Sequence, residues 1–203
     1  MSAWKIVYTG LLVGLVAVSV GQTEQNWRNK VNQYLMEQQI QIDASDILVV
    51  SLAEQCMYVL QGDSVVQQYE ISGAALGAGN QSGSNQTPLG LHRIKEKYGA
   101  GVPLGGIMKS RQFTGELARI YTDPTDVEED HVTTRVLWLE GMEPGRNKGG
   151  NVDSYQRYIY IHGTPEEGLI GQPASHGCIR MFNKEVVELY DASALGRLVL
   201  IFN

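Results

Sequence analysis

The hydrophobic period of this 203-residue chain changes at Asp46, and that change limits what it can fold into. Upstream, residues 24–42 place Trp27, Val31, Tyr34, Leu35 and Gln38 at helical spacing with polar residues between them, predicting one amphipathic helix that leads into a domain. Downstream the period is that of strands. Residues 47–52, residues 56–60, a turn at 61–64 and residues 65–71 read as a β-meander with a Gly-Asp turn signal. Strands resume at 132–139 and 155–162, and residues 198–202 close the chain as a buried strand. Asn183 is a good N-cap for a helix through residues 184–190, with Gly196 beyond it as a stop. Loops rich in Gly, Ser, Asn and Pro occupy 72–90, 99–106 and 141–153, and none carries the Gly-Lys-Ser/Thr element of a phosphate loop. The sum is mostly strands with one or two helices, hence an all-β or α+β domain over residues 46–203, preceded by a helical extension over 22–45.

Residues 1–21 read as an export segment. Lys5 precedes an apolar run from Ile6 to Val20, and Ser19-Val20-Gly21 offers small residues at a cleavage site. A cleaved signal peptide and a retained inner-membrane anchor through residues 4–21 are the two readings, and both send the rest of the chain to the periplasm or cell envelope. With hydrophobic residues at 43% and charged residues at 19%, global disorder is excluded. A net charge of −6 with no Lys/Arg-rich run argues against nucleic acid as a partner. An exported chain with two cysteines invites a disulfide, but Cys56 lies in a strand pattern as a small hydrophobe and Cys178 in a Ser-His-Gly-Cys turn, so free thiols are expected.

The chemistry is concentrated near the C-terminus, in His162-Gly163-Thr164 followed by Ser175-His176-Gly177-Cys178-Ile179-Arg180. Tyr158 to Ile161 alternate as a strand should, placing His162 at a strand end, and the Gly- and Pro-containing segment between them can fold Cys178 back towards it. A thiol beside an imidazole is the minimum equipment for nucleophilic acyl transfer, because the ring can take the thiol proton and later return it. A neighbouring imidazolium would lower the thiol pKa and give a thiolate at neutral pH. Backbone N–H groups around Gly177 and Cys178 are candidate oxyanion donors. The competing readings are a zinc site and purely structural residues. No cofactor is called for, and a zinc site lacks a fourth ligand, since His92 and His131 sit in unrelated segments.

At these residues the chain resembles the L,D-transpeptidases with the YkuD-type catalytic domain, whose signature is His-Gly-Thr, a gap, then Ser/Thr-His-Gly-Cys. The opening strand pair, Thr87-Pro88-Leu89-Gly90 and the strands ending at Leu139 and His162 extend the likeness over residues 46–203. The resemblance implies a mainly β, mixed β-sandwich with an N-terminal helix and one short helix after the catalytic loop. It also implies an enzyme acting on peptidoglycan stem peptides. Such an enzyme forms an acyl-enzyme with a tetrapeptide, releases D-alanine and passes the acyl group to an amine of another stem or of a wall-anchored lipoprotein. Carried over, Cys178 is the nucleophile and His162 its acid/base partner. The carbonyl of Gly163 orients the ring, Ser175, His176 and Gly177 shape the turn and oxyanion pocket, and Tyr160 and Arg180 are candidate substrate contacts. β-Lactams of the carbapenem type are the implied inhibitors. An L,D-carboxypeptidase or hydrolase of the same bonds, and a non-catalytic wall-binding module, are the alternatives. Substrate capture falls to the loops at 72–90 and 141–153.

Overall fold

The structure is a computed structural model that describes residues 14–203, with side chains from residue 26 onward. The expected export segment therefore lies in large part outside the described residues. Among those described, no helix is long and apolar enough to cross a membrane. The chain divides into two compact units, one ending at Ile42 and the other spanning Asp43–Asn203.

In the first unit, α1 runs over Gly14–Glu37, so residue 21 falls inside a continuous helix. It stops short of the expected end at 42 because Gln39 takes the left-handed conformation (φ 53°). Its N–H bonds to Met36 O at 3.1 Å and that of Ile40 to Leu35 O at 2.8 Å, the paired bonds of a Schellman termination.

The second unit holds ten strands and a second helix: β1 Asp46–Ser51, β2 Cys56–Gln61, β3 Ser64–Glu70, β4 Gly90–Tyr98, β5 Gly106–Lys109, β6 Gln112–Leu117, β7 Val132–Gly141, β8 Tyr160–Gly163, β9 Ile179–Met181, α2 Asn183–Ala192 and β10 Leu198–Phe202. The hydrogen-bonded order is β3-β2-β1-β10-β4-β7-β5-β6, with β8 added to β7 and β9 to β8. β1/β10 and β8/β9 are parallel and the other pairs antiparallel, which makes the mixed, mainly β architecture that the sequence implied. The Gly62-Asp63 turn closes the β2–β3 hairpin, with Gln61 facing Ser64. β1 and β10, read as aliphatic runs, are almost wholly buried at the centre, as strands flanked by others must be.

Two further expectations are corrected, and one unassigned region is filled. Residues 155–159 form turns rather than strand. Ile159 N–H bonds back to Ser154 O (3.1 Å) and Tyr158 is left-handed (φ 58°), so β8 begins only at Tyr160. Residues 91–98 and 107–117, to which the sequence pattern assigns no element, form most of β4 and of the β5–β6 hairpin. Asn183 is not the N-cap of α2 but its first residue. Its side chain instead donates to Thr164 O and Glu167 Oε1 (2.8 Å each) and accepts from Thr133 Oγ1 (2.7 Å), while Glu167 Oε1 takes the helix's first N–H at 2.8 Å. A carboxylate there satisfies an otherwise orphan donor and meets the positive end of the helix dipole.

Candidate active site

Strand alternation sorts β7, β8 and β9 into two faces. Leu137, Leu139, Ile161, Ile179 and Met181 point into the main core with Val50, Ile94 and Val199. The residues between them face the other way. Val136 is opposite His162 and Trp138 opposite Tyr160, and His162 is level with Arg180 on parallel β9. Continuing that register one residue back sets Cys178 beside Tyr160, two positions along the same face from His162. The regular period of the strands thus puts the histidine and cysteine named from sequence on one face.

His162 is buried (2% exposed), and its Nδ1 lies 2.7 Å from Gly163 O. A carbonyl can only accept, so Nδ1 carries the hydrogen and Nε2 is left as the basic nitrogen. Gly163 must be glycine, because a Cβ there would meet Asn183 Oδ1 at 2.6 Å and Thr133 O at 2.9 Å. Burial pushes the His162 pKa below its ordinary value, against the opposing pull of the Asp130 charge and the Gly163 carbonyl.

The Cys178 thiol is half-buried and free, and that of Cys56 is buried and also free. Sγ donates to Tyr158 O and accepts from Tyr160 N–H, both at 3.4 Å. Burial pushes the thiol up to about 12, and Asp130 raises it further, against the lowering effects of the Tyr160 N–H, Arg180 and Arg157. With the imidazole also held neutral by burial, the resting pair is a thiol and a neutral ring. The Ser-His-Gly-Cys turn is closed by Ser175, whose hydroxyl donates to Cys178 O (2.6 Å) and accepts from Gly177 N–H (3.2 Å). At φ 126° Gly177 sits where side chains are strained, and a Cβ would lie 3.3 Å from Gln86 O. The expected oxyanion donor at Gly177 is thus already occupied by Ser175.

Arg180 is a strut rather than a substrate contact. It is 1% exposed and bridges Glu166 and Asp130 at 2.6 Å each. Asp130 was not read from sequence, where Glu128-Glu129-Asp130 resembles a solvated charge run. It also bonds exposed His176 (Nδ1 to Oδ2, 3.0 Å), and its other oxygen is buried without a partner. Burial works to raise the Asp130 pKa, but the charges of Arg180 and His162 and the bonds from Arg180 and His176 carry it below the usual carboxylate range. Tyr160 is buried against Trp138 edge to face, its ring centroid 5.4 Å away, and accepts from Arg111 Nη1 at 3.3 Å. Of the two loops expected to capture substrate, 72–90 borders the site directly. Ala75 N–H bonds Ser175 O (2.9 Å), and Arg157 pins Gly79, Asn80 and Gln86 through their carbonyls. The 141–153 loop stands behind it, with Asn151 bonded to Gln81 at 2.8 Å.

His162 on β8 and Cys178, just ahead of β9, thus share one face of a mixed β domain, with the ring oriented by the next residue's carbonyl. Residues 45–201 match the model of the L,D-transpeptidase catalytic domain, YkuD, and the chain belongs to that family. Two Bacillus subtilis (strain 168) proteins, YkuD and YqjB, each named "Putative L,D-transpeptidase", are 41% identical over 61 residues and 51% identical over 45 residues. These matches span 28% and 22% of this chain and 37% and 26% of the relatives' own lengths. Among solved structures, L,D-transpeptidase 3 from Mycobacterium tuberculosis in complex with a faropenem-derived adduct is 18% identical, with a TM-score of 0.47 over 78% of this chain and 60% of that one.

Proposed function

We propose that this protein is a peptidoglycan L,D-transpeptidase working through a Cys178 thioester in the cell envelope. The observation that carries the reading is the shared face of His162 and Cys178, with His162 Nδ1 tied to Gly163 O so that Nε2 is the base. Because thiol and ring are both neutral at rest, proton transfer accompanies attack. Sγ leaves Tyr158 O, Nε2 takes its proton, and the sulfur adds to the carbonyl carbon of the third residue of a tetrapeptide stem. The imidazolium then protonates the departing D-alanine amine as the C–N bond breaks, leaving the thioester. An acceptor amine, on another stem or a wall-anchored lipoprotein, attacks that thioester while Nε2 removes its proton, and the thiol is regenerated. Gly177 N–H would exchange its long bond to Ser175 for the developing oxyanion. A β-lactam would acylate the same sulfur through its carbonyl, the ring C–N bond opening as its nitrogen takes the proton from Nε2.

The test is incubation of the full chain with tetrapeptide muropeptides. Cross-linked dimers and free D-alanine are expected, and Cys178→Ala should abolish both together with covalent labelling by a carbapenem. Undiminished labelling of that variant would overturn the nucleophile. Free tripeptide without dimers would replace transfer by hydrolysis, making the protein a carboxypeptidase.

A further inference from the structure

Arg157 and Arg180 bear on the thiol and Arg111 on the tyrosines beside it, and the first two are committed. Arg180 is clamped between Glu166 and Asp130, and Arg157 holds backbone carbonyls of the 72–90 loop. Arg111 differs, since its direct contacts are all neutral. Its guanidinium carbon lies 4.7 Å from the Trp138 ring centre and 5.9 Å from those of Tyr98 and Tyr158, and Nη1 donates to the Tyr160 phenol at 3.3 Å. Glu96, the carboxylate that senses this charge, is already taken by the hydroxyls of Tyr98 and Tyr155. Arg111 stands at the second position of the two-residue turn between Lys109 and Gln112, where Ser110 and Arg111 are both left-handed (φ 49° and 64°). Turns of this type favour Asn-Gly, so an arginine there is held against backbone preference. The same two tyrosines that frame Arg111 also hold the sulfur, through Tyr158 O and Tyr160 N–H.

We propose that Arg111, stacked on Trp138 and steadied by Tyr160, is the receptor for the free terminal carboxylate of the amino acid that leaves from the stem. The proposal rests on the transpeptidase reading, in which that carboxylate sits one residue beyond the carbonyl attacked by Sγ. A planar guanidinium fixed on an aromatic face, its neighbouring carboxylate Glu96 engaged by two tyrosine hydroxyls, presents its remaining N–H groups as a fork that suits a carboxylate. The site thereby selects stems ending at the fourth residue, because a fifth residue, or an amide, moves or removes the charge.

The experiment measures binding apart from turnover. In the Cys178→Ala protein, calorimetry compares a tetrapeptide stem ending in a free carboxylate with its C-terminal amide. The acid is expected to bind at least about tenfold more tightly, since the pair is charge-assisted and two-pronged. Arg111→Asn in the same background, chosen because asparagine tolerates the left-handed turn, should erase the preference while the melting temperature holds or rises. Arg111→Lys should restore part of it. Equal binding of acid and amide in the parent, or an equal loss for both peptides in Arg111→Asn, would overturn the proposal. Should the acid preference persist in a protein whose wild type releases no D-alanine, the transpeptidase reading falls and the carboxylate receptor stands.

Discussion

The two faces of the β7–β8–β9 patch share a backbone and differ in everything else. One face carries Leu137, Leu139, Ile161, Ile179 and Met181, aliphatic and fully buried. The other carries Trp138, Tyr160, His162, Cys178 and Arg180, every one with a polar atom that has to be accounted for. Burial stabilises the first face directly. On the second, burial acts on charge, raising the thiol and lowering the ring, so the same dry environment that holds the fold together sets the protonation of the site. The faces should therefore fail in different ways when altered.

The largest effect falls on activity. His162→Ala should slow acylation about 10²–10⁴-fold, the usual range for a lost acid/base group. With His162 present, burial places the acid limb of the pH–rate profile below pH 6.5, since only the neutral ring can take the proton. Stopped-flow acylation by a carbapenem across pH 4.5–8 checks both, and an acid limb unchanged by the substitution would remove His162 from the chemistry. Next in size is Arg180→Met, which leaves buried Glu166 and half-buried Asp130 without their shared cation. A loss of about 3–5 kcal/mol in urea unfolding is expected. On the opposite face, Ile161→Ala should cost about 2–5 kcal/mol by leaving a cavity, with the acid limb of the surviving activity unmoved.

A fourth effect depends on pH alone. His92 is fully buried between Gly90 O and Ser154 Oγ (2.9 Å each), and burial pulls its pKa to about 4. Above pH 6.5 the folded and unfolded chains both carry it neutral and its contribution is complete. Between pH 6.5 and 4 the unfolded chain binds a proton that the folded one excludes, so stability falls by about 3 kcal/mol over that interval. His92→Asn, unfolded in urea at pH 7 and pH 4.5, should show a smaller difference between the two conditions than the wild type.

The contrast between the faces also explains what could be read without coordinates. Alternation over Tyr158-Ile159-Tyr160-Ile161 is a local signal, as is the Ser-His-Gly-Cys turn; the turn survives in the structure, and of the alternating run only Tyr160 and Ile161 are strand. The misses are of two kinds. Asp130, Arg157 and Arg111 reach the site from separate loops, and nothing in their immediate sequence distinguishes them from solvated charges. Ser110-Arg111 forms a tight hairpin turn without the Asn or Gly that would advertise it, which hid β5 and β6. Asn183 illustrates the second kind. Its local preference as a cap is real, but four partners drawn from β7 and from the turns before α2 outcompete it.

The resting bond from Cys178 to the strained Tyr158 carbonyl has a consequence for durability. Peroxide and disulfide exchange both begin with the ionised sulfur, and a thiol pushed up to about 12 offers almost none of it at neutral pH. Under the proposed chemistry the resting thiol is therefore shielded from both reactions, and the sulfur is open to them only while acylation proceeds.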